Sequence, residues 1–163
     1  MGVYDFRELV CWKLSQALKV EILAFTDRGP AAQDFRYRDQ IRDSAASAPR
    51  NIAEGFGHFG AREFARFLGY ARASLMETAS SLVDGHDRKY LDTQQYSRLM
   101  NLTRAALTAT TGLLRQKRRQ ADESKSRQLP PARLPPREFS ITVDELIERR
   151  KRRDASRRRP SSE

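Results

Sequence analysis

The chain holds 163 residues, with 31 Lys and Arg against 21 Asp and Glu, a formal net charge of +10 and a sequence pI near 10.3. That length suits about one domain. The excess charge, carried far more by Arg than by Lys, favours a polyanionic partner such as nucleic acid, because the guanidinium fork matches phosphate. The plainer reading is a basic protein that binds polyanions weakly. A single cysteine, Cys11, excludes an intramolecular disulfide and fits a reducing compartment. No apolar run reaches the roughly 20 residues a membrane span needs, and no signal-peptide core opens the chain, so the expected location is the cytoplasm, with no membrane partner.

The first predicted helix runs from about Asp5 to Thr26, with Phe6, Val10, Leu14, Ala17, Leu18, Ile22 and Phe25 as its apolar stripe. Asp5 and Glu8 have capping-box spacing, and Gly29-Pro30 ends the helix and turns the chain. Cys11 falls among apolar residues here, as a small core or interface residue.

The second predicted helix, about Ala32 to Glu54, carries two stripes. Ile41, Ala45, Ala48 and Ile52 form one apolar face. Gln40, Ser44, Ser47, Asn51 and Glu54 recur at the same heptad spacing on the neighbouring face, and their sides are small or amide-bearing until Glu54. A polar seam of that kind suggests a second packed surface with a specified register, so these five are candidate subunit contacts. Pro49 predicts a kink near Ala45–Ala48, and Gly55 a left-handed C-cap.

The third predicted helix, about Ala61 to Asp84, is also two-sided. Phe64, Leu68, Ala71, Leu75 and Leu82 make the core stripe, while Glu63, Phe67, Tyr70, Ser74 and Glu77 make a second stripe. Phe67, Tyr70, Ser74 and Glu77 join the candidate oligomer interface. The fourth, about Thr93 to Arg118, turns Tyr96, Met100, Thr103, Leu107, Thr110 and Leu114 inward. Short connections favour antiparallel neighbours, hence an all-α, up-down four-helix bundle over residues 1–119.

Residues 120–163 are expected to be a largely flexible appendage. A Pro-rich linker comes first. A short helix from about Val143 to Arg153 follows, signalled by capping-box spacing at Thr142 and Glu145. A dense basic run closes the chain.

Several of these segments together resemble a known family. The run NIAEG at Asn51–Gly55, QIR at Gln40–Arg42, EFARFL at Glu63–Leu68, FRELVCWK at Phe6–Lys13 and ARASLMET at Ala71–Thr78 are similar to the bacterial four-helix bundle family. That family includes proteins encoded in intervening sequences of large-subunit ribosomal RNA genes and the Avd-type accessory proteins of diversity-generating retroelements. The likeness covers about residues 5–117 and leaves out the tail. Ala73 stands where family members often have Gly, and Phe35-Arg36-Tyr37 replaces a usual Tyr-Gly-Leu run. The resemblance implies a homo-oligomer, a pentameric ring or barrel. An Avd-like role would add a reverse transcriptase and its template RNA as partners.

Three basic groups are candidates for RNA or DNA. Arg36, Arg38, Arg42 and Arg50 lie on the second helix, where Asp39 and Asp43 alternate with them and ordinary surface ion pairing competes. Arg115, Lys117, Arg118 and Arg119 crowd the end of the fourth helix, where a favourable interaction with the helix dipole competes. The tail offers Arg149, Arg150, Lys151, Arg152, Arg153, Arg157, Arg158 and Arg159, a density with no folding purpose.

Catalytic and cofactor signals are weak. Gly55, Gly57 and Gly60 have dinucleotide-fingerprint spacing, but a helix rather than a strand precedes them, so they read as a cap and turn. His58 and His86 lack a second ligand at metal spacing, and Glu54 and Glu77 lack the Glu-x-x-His pattern of di-metal bundles. No nucleophile elbow or phosphate-cradling loop is present. The Asn101-Leu102-Thr103 sequon falls mid-helix and is discounted. The expectation is a non-catalytic, cofactor-free, nucleic-acid-binding accessory protein. The alternative is an oligomeric scaffold whose tail docks a protein partner.

Overall fold

The computed structural model describes residues 4–58, 60–128 and 148. Among them there is no strand. A 3-10 turn at Phe6–Glu8 precedes five α-helices: α1 Val10–Thr26, α2 Gly29–Gln33, α3 Phe35–Gly57, α4 Ala61–Asp87 and α5 Thr93–Gln128. Of the expected linker, residues 120–128 are instead the end of α5; the rest of it and the short tail helix lie outside the described residues, apart from Glu148.

Element boundaries follow the local polar chemistry. Asp5 caps the 3-10 turn, not a continuous first helix: its carboxylate accepts the Arg7 N–H at 2.8 Å and also holds the Arg7 guanidinium. Leu9 is then extended, with ψ 125°, and α1 begins after it. The Asp5–Glu8 capping box is therefore not formed. The burial stripe of α1 is Cys11, Ser15, Leu18, Ile22 and Thr26, while Val10 and Ala17 face outward. That corrects the predicted stripe at two positions. The small polar members Ser15 and Thr26 are hidden from a hydropathy count because each satisfies its hydroxyl on its own helix, at the carbonyls of Cys11 and Ile22.

The predicted second helix is two. Gly29, at φ +70°, turns the chain and Pro30 occupies the first turn of the short α2. Asp34 interrupts, accepting the Tyr37 N–H at 3.0 Å as the N-cap of α3. Gly55 is not a C-cap. The helix runs through it to Gly57, and His58 leaves the helix in extended conformation. α4 continues to Asp87 and ends in a Schellman arrangement: Lys89, at φ +64°, donates to the His86 carbonyl and Tyr90 donates to that of Gly85. A reciprocal capping box opens α5, with Asp92 accepting the Gln95 N–H and Gln95 accepting that of Asp92. α5 runs ten residues past the predicted end at Arg118, to Gln128.

Helix contacts define the directions. Gly55 approaches Phe67, Ser47 meets Ser74, Ser44 meets Thr78, and Tyr37 reaches Ser81. Partners descend α3 as they ascend α4, so the pair is antiparallel. Lys117 lies over Phe64 and Tyr96 against His86, which makes α4 and α5 antiparallel as well. Arg42 of α3 bonds Thr26 and Asp27 at the end of α1, and Arg98 of α5 pairs with Glu21 of α1.

The apolar interior forms two clusters. One gathers Leu18, Ile22, Tyr37, Ile41, Ala45, Leu75, Leu82, Leu99 and Ala106. The other gathers Cys11, Ile52, Phe64, Leu68, Ala71 and Leu114, with Trp12 and Phe56 partly buried beside it. The predicted inward stripes of α3 and α4 are all buried. No buried side-chain polar atom among the described residues lacks a hydrogen-bond partner. No described helix is long and apolar enough to cross a membrane.

Candidate nucleic-acid interface

The middle of the polar seam lies inside the chain. Ser74 donates to Ser47 at 3.0 Å and Thr78 to Ser44 at 3.1 Å, across the α3–α4 contact. Asn51 donates to the hydroxyl and carbonyl oxygens of Ser47 at 3.0 and 2.9 Å. Ser44 and Phe67 are buried within the chain, so they have no surface to offer a neighbour. Ser47, Asn51 and Ser74 are half-buried, whereas Gln40, Glu54, Tyr70 and Glu77 are exposed. Small residues on α3 let α4 approach closely, and Gly55 marks one tight point. A Cβ there would stand 2.6 Å from the Cβ of Phe67.

The α3 arginines divide. Arg42 is spent on structure, with its Nε on the Thr26 hydroxyl and its terminal nitrogen 2.6 Å from Asp27, both at the α1 end. Arg38 pairs with Asp39 at 2.9 Å and lies over the Phe35 ring. Arg36 and Arg50 are exposed and make no ion pair with the described residues, though Arg50 also donates to the Ala46 carbonyl. Competition from surface pairing thus takes two of the four.

The α5 group is less engaged. Arg115 and Arg118 are exposed and make no ion pair among the described residues. Arg119 lies 3.9 Å from the exposed Glu123, a pair of small worth. Lys117 donates to Gln120 and lies over the Phe64 ring at 5.5 Å. The tail candidates Arg149–Arg153 and Arg157–Arg159 lie outside the described residues.

A ring-rich patch surrounds the α3–α4 turn; sequence spacing offered two of its members, Phe67 and Tyr70, as subunit contacts but did not single out the patch. His58 stacks on Phe67 with centroids 5.0 Å apart and planes 14° apart. Arg66 places its guanidinium 5.1 Å from the Phe67 ring and 5.9 Å from the Tyr70 ring, and pairs with Glu63 at 2.7 Å. Phe56 packs edge-on against Phe64. The signal in the sequence was the density of aromatic residues between Phe56 and Tyr70. Helix periodicity assigned those residues to two stripes and hid their common end.

At the far end, Asp34 binds the Tyr90 hydroxyl at 3.0 Å and Arg88 at 3.2 Å. The backbone N–H of Tyr37 foremost, then the Tyr90 hydroxyl, holds the Asp34 carboxyl below its ordinary pKa. Burial pushes the Tyr37 hydroxyl up, and that hydroxyl donates to the Ser81 carbonyl above Gly85. These contacts tie helix ends together. Among the described residues no group of three or more His, Cys, Asp and Glu is placed to hold a metal.

The described residues thus define a small, wholly helical protein with a dense polar contact between two long helices and a cation-rich end. The chain belongs to the 23S rRNA-intervening sequence protein family, whose model matches residues 7–111. The α5 cations follow immediately after the matched segment. No curated protein matches the chain.

Proposed function

We propose that the four long helices close as an antiparallel up-down bundle that assembles into a homo-oligomer and binds nucleic acid as a non-catalytic accessory protein. The antiparallel contacts of α3 with α4 and of α4 with α5 support the bundle. The observation that carries the binding reading is the α5 group, where Arg115 and Arg118 are exposed and make no ion pair with the described residues, although Asp122 and Glu123 line the same surface hollow. An excess of +10 over the whole chain adds a long-range field of the same sign. Such cations bind phosphates with little regard for sequence. The rRNA link in the family's name favours RNA as the polyanion. An assisting role beside a reverse transcriptase rests on the resemblance to Avd-type proteins, and a reverse-transcriptase gene beside this one would be its sign.

Fluorescence anisotropy with labelled RNA and DNA oligonucleotides at two salt concentrations tests the binding. Affinity is expected to fall steeply with salt, and an Arg115→Gln, Arg118→Gln, Arg119→Gln variant is expected to lower the salt slope by about 2, at about 0.7–0.9 per lost phosphate contact. Neutralising Arg149–Arg153 and Arg157–Arg159 is expected to weaken RNA and DNA binding alike. Binding that ignores both salt and these substitutions would leave the protein-docking scaffold as the better account.

A further inference from the structure

The cations of α5 and the ring-rich patch occupy the same end of the molecule. Phe64 links them: Lys117 lies over its ring at 5.5 Å, Phe67 follows one turn later on α4, and His58 and Arg66 cover Phe67. Three exposed planar groups therefore sit beside the cations proposed to meet phosphate. Tyr70 is 49% exposed, His58 is exposed, and Arg66 spans the gap between the rings of Phe67 and Tyr70. Phe67 itself is only 8% exposed, so it serves as the floor on which the others are held.

That combination is chemically selective. Arg66 is already paired with Glu63 at 2.7 Å, so its charge is partly answered, while its side chain is still 54% exposed beside the rings it braces. A group of stacking faces flanked by cations is how proteins hold single-stranded nucleic acid: the cations track the backbone and the faces take unstacked bases. In a duplex the bases are already stacked on one another and their faces are hidden. Cations alone would not distinguish the two forms.

Resting on the nucleic-acid reading above, we infer that the α3–α4 end is a base-stacking site for single-stranded nucleic acid, with Tyr70, Arg66 and His58 as the stacking faces and the α5 cations as the backbone track. One stacked base adds between about fivefold and a hundredfold to affinity.

The test uses the full chain, a labelled single-stranded oligouridine and an RNA hairpin duplex of equal phosphate number, measured by anisotropy at one low salt concentration. Tyr70→Ala is expected to weaken oligouridine binding by about fivefold or more and leave the duplex unchanged, while Tyr70→Phe keeps wild-type affinity. His58→Ala is expected to act in the same direction. Tyr70 is half exposed, so its replacement is compatible with folding, and an unchanged circular dichroism melt checks that. Wild-type binding to the duplex but not to oligouridine overturns the stacking site and leaves the phosphate reading standing. Equal losses on both ligands, or no loss on either, also overturn it. Binding to neither ligand removes both readings.

Discussion

Gly55 sits in the last turn of α3, and its neighbours explain why a glycine stands there. Alanine there would gain at most about 1 kcal/mol of helix propensity. Against that, its Cβ would meet the Phe67 Cβ at 2.6 Å and the Phe64 Cδ2 at 2.9 Å. The Phe67 Cβ is fixed to its backbone, so the helices themselves must part, at about 1–3 kcal/mol. Gly112 on α5 has nothing within 4 Å of a new Cβ. Gly112→Ala is expected to stabilise the protein and Gly55→Ala to destabilise it, and urea titrations of the two decide it. A second expectation concerns Cys11, whose thiol burial pushes up from 9.0 to about 11. The native thiol is expected to react slowly with an aromatic disulfide reagent at pH 8, and fast once urea exposes it. Since the folded pKa is the higher, this thiol's contribution to stability is complete below pH 9.0 and is lost as pH rises from there towards about 11.

At the scale of elements, the α3–α4 pair shows how a seam of small polar residues can be read two ways. Ser47 Oγ lies 3.0 Å from Ser74 Oγ. Ser47→Arg is therefore expected to destabilise the isolated subunit by about 1–3 kcal/mol, since a long charged side chain must be forced out of a close contact. An unchanged denaturation midpoint at nanomolar protein would show the seam to be spare surface. Thr78→Val removes a hydroxyl whose partner Ser44 still donates to the Ile41 carbonyl, so about 0.5–1.5 kcal/mol is expected. The stripe Ile41, Ala45, Ala48, Ile52 was legible from periodicity because apolar burial alone governs it. The neighbouring Ser44–Ser47–Asn51 stripe was visible as a packed face but not as an intrachain one. α3 lies between α1 and α4, so its inward arc is wide, and spacing does not name the helix that fills it. Asp34 was missed for a related reason: an Asp inside an apparently continuous helical pattern can be a surface residue or a cap, and only the Tyr37 N–H decides. The ring patch was illegible as a site because its members come from two helices and the turn between them.

For the molecule as a whole, several large apolar side chains of the described residues face outward on α1 and α4. Val10 and Val20 on α1 and Met76 and Val83 on α4 are 64%, 55%, 50% and 44% exposed. Where such side chains form one contiguous patch they mark contact with another molecule, whereas singly they carry no such meaning. In the proposed homo-oligomer these faces would meet, and heterologous pairing of one with the other would form a ring where the rotation between subunits closes. Light scattering is expected to give a multiple of the 18.8 kDa subunit mass, with Met76→Glu and Val83→Glu together returning it to the monomer. A wild type that is monomeric at micromolar concentration, or a double variant that keeps the larger mass, would remove that assignment. The cation-rich end is carried on α4 and α5 within one subunit, so a ring would repeat it once per subunit and raise avidity for a long strand.

The length of α5 carries a consequence in time as well as in space. Leu114 is the last buried residue described, yet the helix continues to Gln128. A stretch that short, with only Lys117, Gln120 and Ala121 part-buried among its described side chains, holds helix only marginally in water. Its backbone hydrogens therefore exchange with deuterium early, by local opening, while those between Leu99 and Leu114 wait for the core to open. The boundary between the fast and slow amides falls at the arginines proposed to meet phosphate. A bound strand would slow the clock on the fast side alone, and so report occupancy of this end one residue at a time.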